Sequence, residues 1–83
     1  MIVHKLKIEQ KYLHRVLTGD KMFEMRVNDR DFQVGDRIEF LPLVTSTLVS
    51  VYYVKSPIPE YEITYTTAYG CADGYLALGI KPA

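Results

Sequence analysis

Gly19-Asp20-Lys21-Met22-Phe23-Glu24-Met25-Arg26 sets a lysine, a glutamate and an arginine on one short segment directly after a glycine. Upstream, from Glu9 to Thr18, Tyr12, Leu13, Val16 and Leu17 recur at helical spacing, with Lys11, His14 and Arg15 on the other side. Glu9 suits a first helical turn, and Gly19 suits a helix stop. Beyond the stop the period changes to two. Phe23, Met25 and Val27 share one side of a strand, and Met22, Glu24 and Arg26 share the other. The segment therefore marks the junction between one helix and a series of strands.

Working outward, Ile2, His4, Leu6 and Ile8 alternate with Val3, Lys5 and Lys7, the pattern of a half-buried strand. After Val27 comes a polar loop, Asn28 to Asp36, with Phe32 and Val34 as apolar anchors and a turn at Val34-Gly35-Asp36-Arg37. A strand over Arg37 to Leu43 follows, and Pro42 marks its end or an edge. Thr45 to Lys55 reads as a further strand, broken by Pro57 and Pro59. Tyr61 to Tyr69 alternates Tyr61, Ile63 and Tyr65 against Glu62, Thr64 and Thr66, and Tyr75 to Lys81 closes the chain as a last strand. A strand, one helix and about five more strands predict an α+β, mainly β domain: a small, partly closed β-barrel with one N-terminal helix plugging an end. In 83 residues, 48% of them hydrophobic, a single domain spanning 1–83 with one modest core is expected.

The ten Lys/Arg and ten Asp/Glu cancel, but unevenly. Up to Arg37 eight cations face six acids; from Ile38 onward two cations face four acids. So small a bias argues against a strong non-specific grip on nucleic acid and leaves room for a site that reads one nucleotide or one loop. The sequence holds no apolar run long enough for a membrane span and no signal-peptide pattern at Met1 to Lys5. Cys71 stands alone, so no internal disulfide can form, and a cytoplasmic location is the expectation.

The same residues resemble a known family. Gly19 to Arg26 matches the Gly-x-Lys-x-x-Glu-x-Arg signature of the ASCH domain, a branch of the PUA-like superfamily of small β-barrels associated with RNA. Asn28 to Asp36, the opening His4-Lys5-Leu6-Lys7 and the closing strand Gly74 to Ile80 are similar to a small bacterial and phage ASCH subfamily of unknown function. The resemblance implies a PUA-like barrel with a ligand cleft beside the helix and the signature strand. It points to Lys21, Glu24 and Arg26 as ligand-binding residues, and to RNA or a nucleotide as the partner. Arginine forks onto phosphate, lysine supplies a mobile charge, and a carboxylate can accept from a base amine. Tyr69, at the start of a loop, is the candidate for stacking on a base. Arg30 extends the ligand set; the competing reading makes Asp29-Arg30-Asp31 a loop-ordering network with Arg26 or Arg37. The bland alternative for the cluster itself is a surface Glu24–Arg26 pair beside a solvated Lys21.

Some ASCH proteins are amidohydrolases that deacetylate 4-acetylcytidine with a lysine, a threonine and a glutamate. Lys21 matches the lysine, but Glu24 stands where the threonine nucleophile would be. A carboxylate does not replace a hydroxyl in acyl transfer, though it can serve as a general base on a water. The binding module is thus the leading expectation, with a hydrolase and a protein-interaction domain as alternatives. The last would use an edge near Pro42 or an apolar patch over Val49 to Tyr53. No cofactor or metal is expected: His4 reads as a satisfied strand histidine, His14 as a solvated one, and Cys71 has no histidine near it in sequence. Tyr52, Tyr53, Tyr61, Tyr65 and Tyr75 are expected to fill or flank the core.

Overall fold

A computed structural model describes residues 1–43 and 58–83. The strand expected over Thr45 to Lys55, Tyr52, Tyr53 and the patch Val49 to Tyr53 lie outside the described residues.

Alternation builds the first strand, β1 (Val3–Ile8), in which His4, Leu6 and Ile8 are buried and Val3, Lys5 and Lys7 are exposed. Helix α1 (Gln10–Thr18) buries Leu13 and Val16 against the same core, with Leu17 packed at its margin. Gly19 ends it in the left-handed region at φ 84°, a conformation that favours glycine, and donates its N–H to the Val16 carbonyl at 3.1 Å. Lys21 N–H takes the Arg15 carbonyl at 3.0 Å, so the stop itself aims the next residues back along the helix.

Four further strands are described: β2 (Phe23–Val27), β3 (Arg37–Pro42), β4 (Tyr61–Thr67) and β5 (Tyr75–Pro82). They form one five-stranded sheet in the order β1-β3-β4-β5-β2. The β1–β3 pair is parallel and the other pairs are antiparallel. The sheet curls into a half-barrel around Leu6, Ile38, Phe40, Ile63, Leu78 and Ile80, with α1 packed on the same core. Mainly β architecture with one short helix therefore holds among the described residues. No helix of the described residues is long and apolar enough to cross a membrane.

Some details of the expected strands change. Of the two roles expected of Pro42 it takes the first and ends β3, which lies between β1 and β4. Even so, β4 accompanies β3 only over Arg37 and Ile38, and toward Pro42 that side has no strand among the described residues. Phe32 is a buried anchor, whereas Val34 sits exposed on the turn that Gly35 makes at φ 94°. Tyr61 is buried as expected, but Tyr65 is exposed because the β4–β5 register slips between Ile63 and Tyr65. The slip turns both Thr64 and Tyr65 outward. Opposite it lies Gly79, where a Cβ would stand 3.1 Å from Thr64 Oγ1 and 3.3 Å from Tyr65 Cβ. Tyr75 is half-exposed and flanks the sheet, one of the two placements expected of it.

Candidate functional site

β2 is turned against the usual pattern. Its apolar residues Phe23, Met25 and Val27 are exposed, while Glu24 is only 6% exposed. Register explains the inversion. Glu24 lies opposite Leu78, and Arg26 opposite Leu76, both buried residues of β5. Directly opposed residues share a face, so the ionic residues of β2 must point to the concave side.

A carboxylate placed there costs several kcal/mol (on the order of magnitude for a desolvated ion) unless it is paired. Glu24 has two partners. Lys21 Nζ donates to its Oε1 at 2.6 Å, and Arg26 Nε stands 3.3 Å from its Oε2. The second contact lies within ion-pair range but is not aligned as a hydrogen bond, and that buried Nε has no other acceptor. One carboxylate shared by two cations leaves the trio with a net positive charge. Lys21 also donates to the Phe23 carbonyl at 2.8 Å, which fixes its ammonium group and leaves one of its three N–H donors for a ligand. Around that ammonium stand two half-exposed rings: its Nζ lies 4.9 Å from the Phe23 ring centre and 5.8 Å from that of Tyr12.

The cluster lies where the half-barrel fails to close. Among the described residues β1 and β2 are the two ends of the sheet, and by the pairing directions they run opposite to one another. On β1 the Ile2 and Ile8 carbonyls accept from Arg37 and Leu43, toward β3. Strand alternation therefore turns the Lys5 and Lys7 carbonyls to the free edge. Arginine side chains take both. Arg26 Nη2 donates to the Lys7 oxygen at 2.6 Å, and Arg30 Nη1 to the Lys5 oxygen at 3.0 Å. Side chains replace a backbone ladder, and gaps remain between them. The larger cleft, about 570 Å³, is walled by Lys7, Tyr12, Lys21, Phe23, Glu24 and Arg26 among others. A second of about 390 Å³ continues along the seam past Lys5, Asp29 and Arg30, and shares Lys7 and Arg26 with the first.

Of the residues singled out in sequence, Lys21, Glu24 and Arg26 come together at the larger cleft, and Arg30 lines the smaller. Tyr69 is 94% exposed beside a turn and lines neither. The loop network takes a different form from that expected: Arg30 pairs with its neighbour Asp29 at 3.8 Å, Asp31 accepts from Gln33, and Arg37 pairs with Glu60. Tyr12, Phe23 and Lys7 are cleft residues the sequence does not single out. For Tyr12 the signal was its place at the margin of the helical apolar stripe; Phe23 sits inside the signature, on the strand side away from Glu24 and Arg26.

A second buried polar pair lies away from the clefts. His4 and Asp36 are both nearly inaccessible, and His4 Nε2 lies 2.9 Å from Asp36 Oδ2. Asp36 also accepts from the backbone N–H of Ile2 and Gln33. The hydrogen bond from His4, helped by those two amides, holds the Asp36 carboxyl below its ordinary 3.8, although burial pulls the other way. An ionised carboxylate only accepts, so Nε2 must carry the proton. The His4 ring packs 4.7 Å from Phe32, tying the β2–β3 loop to the start of β1. The pair acts as a clasp on the fold, and the histidine expected to be satisfied in its strand is so.

Among the described residues no group of three or more His, Cys, Asp or Glu gathers as a metal site would require. No curated protein matches the chain. A family model with the description "domain of unknown function (DUF3850)" matches residues 3–80, and on that match the chain belongs to the DUF3850 family.

Proposed function

We propose that this domain binds RNA or a nucleotide in the larger cleft, as a PUA-like module of the ASCH type. One observation carries the reading: the Lys21 ammonium, bonded to Glu24, lies 4.9 and 5.8 Å from the centres of two half-exposed aromatic rings at a cleft with a surplus of positive charge. Each part has a use in nucleotide recognition. Tyr12 and Phe23 offer π-faces, and stacking on such rings contributes ~1–3 kcal/mol per base. Lys21 and Arg26 meet phosphate or base acceptors, and Glu24 holds both cations in place while remaining able to accept from a base amine. The curled half-barrel sheet with a short helix packed on its core supports the PUA-like assignment, as does the Gly19 to Arg26 signature.

The hydrolase reading draws less support. Glu24 is engaged by Lys21 at 2.6 Å, and none of Thr18, Thr64, Thr66 or Thr67 lines the cleft. No threonine or serine hydroxyl is thus among its described walls.

Calorimetric titration with single-stranded RNA and with nucleoside monophosphates tests the proposal on wild type, Lys21→Ala and Phe23→Ala. Wild type is expected to bind, and each variant to lose at least tenfold in affinity. Equal affinity in all three proteins, or no binding by wild type, sinks it.

A further inference from the structure

Given the nucleotide-binding reading above, we propose that the two clefts are one site and that the seam takes a phosphodiester-linked step of single-stranded nucleic acid. One nucleotide sits in the larger cleft against Tyr12 and Phe23, the next lies in the smaller cleft beside Arg30, and the linking phosphate rests at the shared Lys7 and Arg26.

Continuity is the first observation. The clefts have Lys7 and Arg26 in common, so they adjoin along the seam, with the Arg26–Lys7 contact between them. Their volumes, about 570 and 390 Å³, each fall in the range of small-molecule sites of ~300–1,000 Å³. Charge is the second. Lys5, Lys7, Lys21, Arg26 and Arg30 line the pair of clefts against Glu9, Glu24 and Asp29. Half the cations of a chain with no net charge are gathered along one groove. That surplus suits a repeated anion better than a neutral nucleoside.

Which cations are available is the third. Lys21 and Arg26 are committed in part to Glu24 and to backbone carbonyls. Lys5 and Lys7 make no ion pair or side-chain hydrogen bond with a described residue. They stand two residues apart on the exposed face of β1, about 6.6 Å along the strand at its usual rise. That spacing is comparable with the step between successive phosphates of a stretched single strand. Arg26 has five N–H donors and spends one on the Lys7 carbonyl, so it can hold that carbonyl and a phosphate together. The rings of Tyr12 and Phe23 at one end favour a nucleic acid over an acidic peptide.

The test compares a nucleoside monophosphate, the corresponding dinucleotide with the same 5′-phosphate, and a short polyglutamate, using wild type, Lys5→Ala and Phe23→Ala. In wild type the dinucleotide is expected to bind at least tenfold tighter than the monophosphate. That ratio is expected to fall at least fivefold in Lys5→Ala, with the salt slope of dinucleotide binding shallower by about 0.7 for the lost contact. A thermal melt of Lys5→Ala matching wild type shows that the exposed lysine is not a folding residue. If the monophosphate binds in a Phe23-dependent way but the dinucleotide gains nothing, the two-cleft site is wrong and the single-nucleotide reading survives. If neither binds, both fall. Polyglutamate binding as tightly as the dinucleotide would reduce the seam to a general anion surface and also overturn the proposal.

Discussion

Arg26 of β2 reaches across the open side of the half-barrel and donates from Nη2 to the Lys7 carbonyl oxygen of β1 at 2.6 Å. The same guanidinium stands 3.3 Å from Glu24. It therefore joins two ends of a sheet that share no ladder, and it helps to neutralise a carboxylate set on the concave face. Replacing it with alanine removes both, and the expected cost is about 2 kcal/mol, the scale of a lost charge-assisted hydrogen bond. Arg26→Lys keeps the charge but not the forked reach, and should fall between. Urea denaturation checks this; identical midpoints for all three proteins would show that the seam is held by other contacts.

Acid should loosen the His4–Asp36 clasp. The folded-state pKa of Asp36 lies below its ordinary value, with the hydrogen bond from His4 as the largest cause. A depressed carboxyl contributes stability that is present above the unfolded value of 3.8 and fades as pH falls through the folded value. Wild type should therefore exceed Asp36→Asn by roughly 1–3 kcal/mol at pH 7, the scale of a buried acceptor's hydrogen bonds. The gap should narrow below pH 3.8. Denaturant melts at several pH values measure it, and a gap independent of pH would contradict the assignment.

The β2 inversion was the part of the fold least legible in sequence. Alternation shows that Glu24 and Arg26 share a face, but not which face is inside; only the pairing with Leu76 and Leu78 of β5 decides that. By contrast β1, α1 and β5 could be read almost to their ends, because there the apolar side is the buried one and Gly19 stops the helix. Tyr65 was misleading for a local reason, a register slip that carries no sequence mark beyond Gly79 opposite it. Within the candidate site, Lys21, Glu24 and Arg26 were visible as a motif. The Arg26–Lys7 and Arg30–Lys5 contacts, 19 and 25 residues apart, were not, since a side chain bonding to a backbone carbonyl leaves no pattern in the residue at the accepting end.

Phe23 and Tyr69 should behave differently toward a nucleotide. Phe23 walls the larger cleft beside Lys21, whereas Tyr69 lines neither cleft. Phe23→Ala is expected to weaken nucleotide binding by roughly 10- to 100-fold, the loss of one stacking surface. Tyr69→Ala should stay within about twofold of wild type. Fluorescence anisotropy with a labelled oligonucleotide separates them, and a larger loss from Tyr69→Ala would move the site to the Tyr69 turn.

Gly79 is a steric requirement of the register slip. An added methyl group would meet Thr64 Oγ1 at 3.1 Å and Tyr65 Cβ at 3.3 Å. The threonine can rotate, but a Cβ moves only with its backbone. Gly79→Ala should therefore destabilise by about 1–3 kcal/mol, as overpacking does, despite the better strand propensity of alanine. A shift of the melting midpoint upward would mean that β4 repacks freely there.

Because β1 and β2 turn their bare rims toward each other, the molecule keeps to itself two of the surfaces through which sheet proteins commonly stick together. The guanidinium groups on the Lys5 and Lys7 oxygens occupy acceptors that a neighbouring chain would otherwise find vacant. The same two arginines thus shield the rims from edge-to-edge pairing, so losing them would open the chain to aggregation as well as to unfolding.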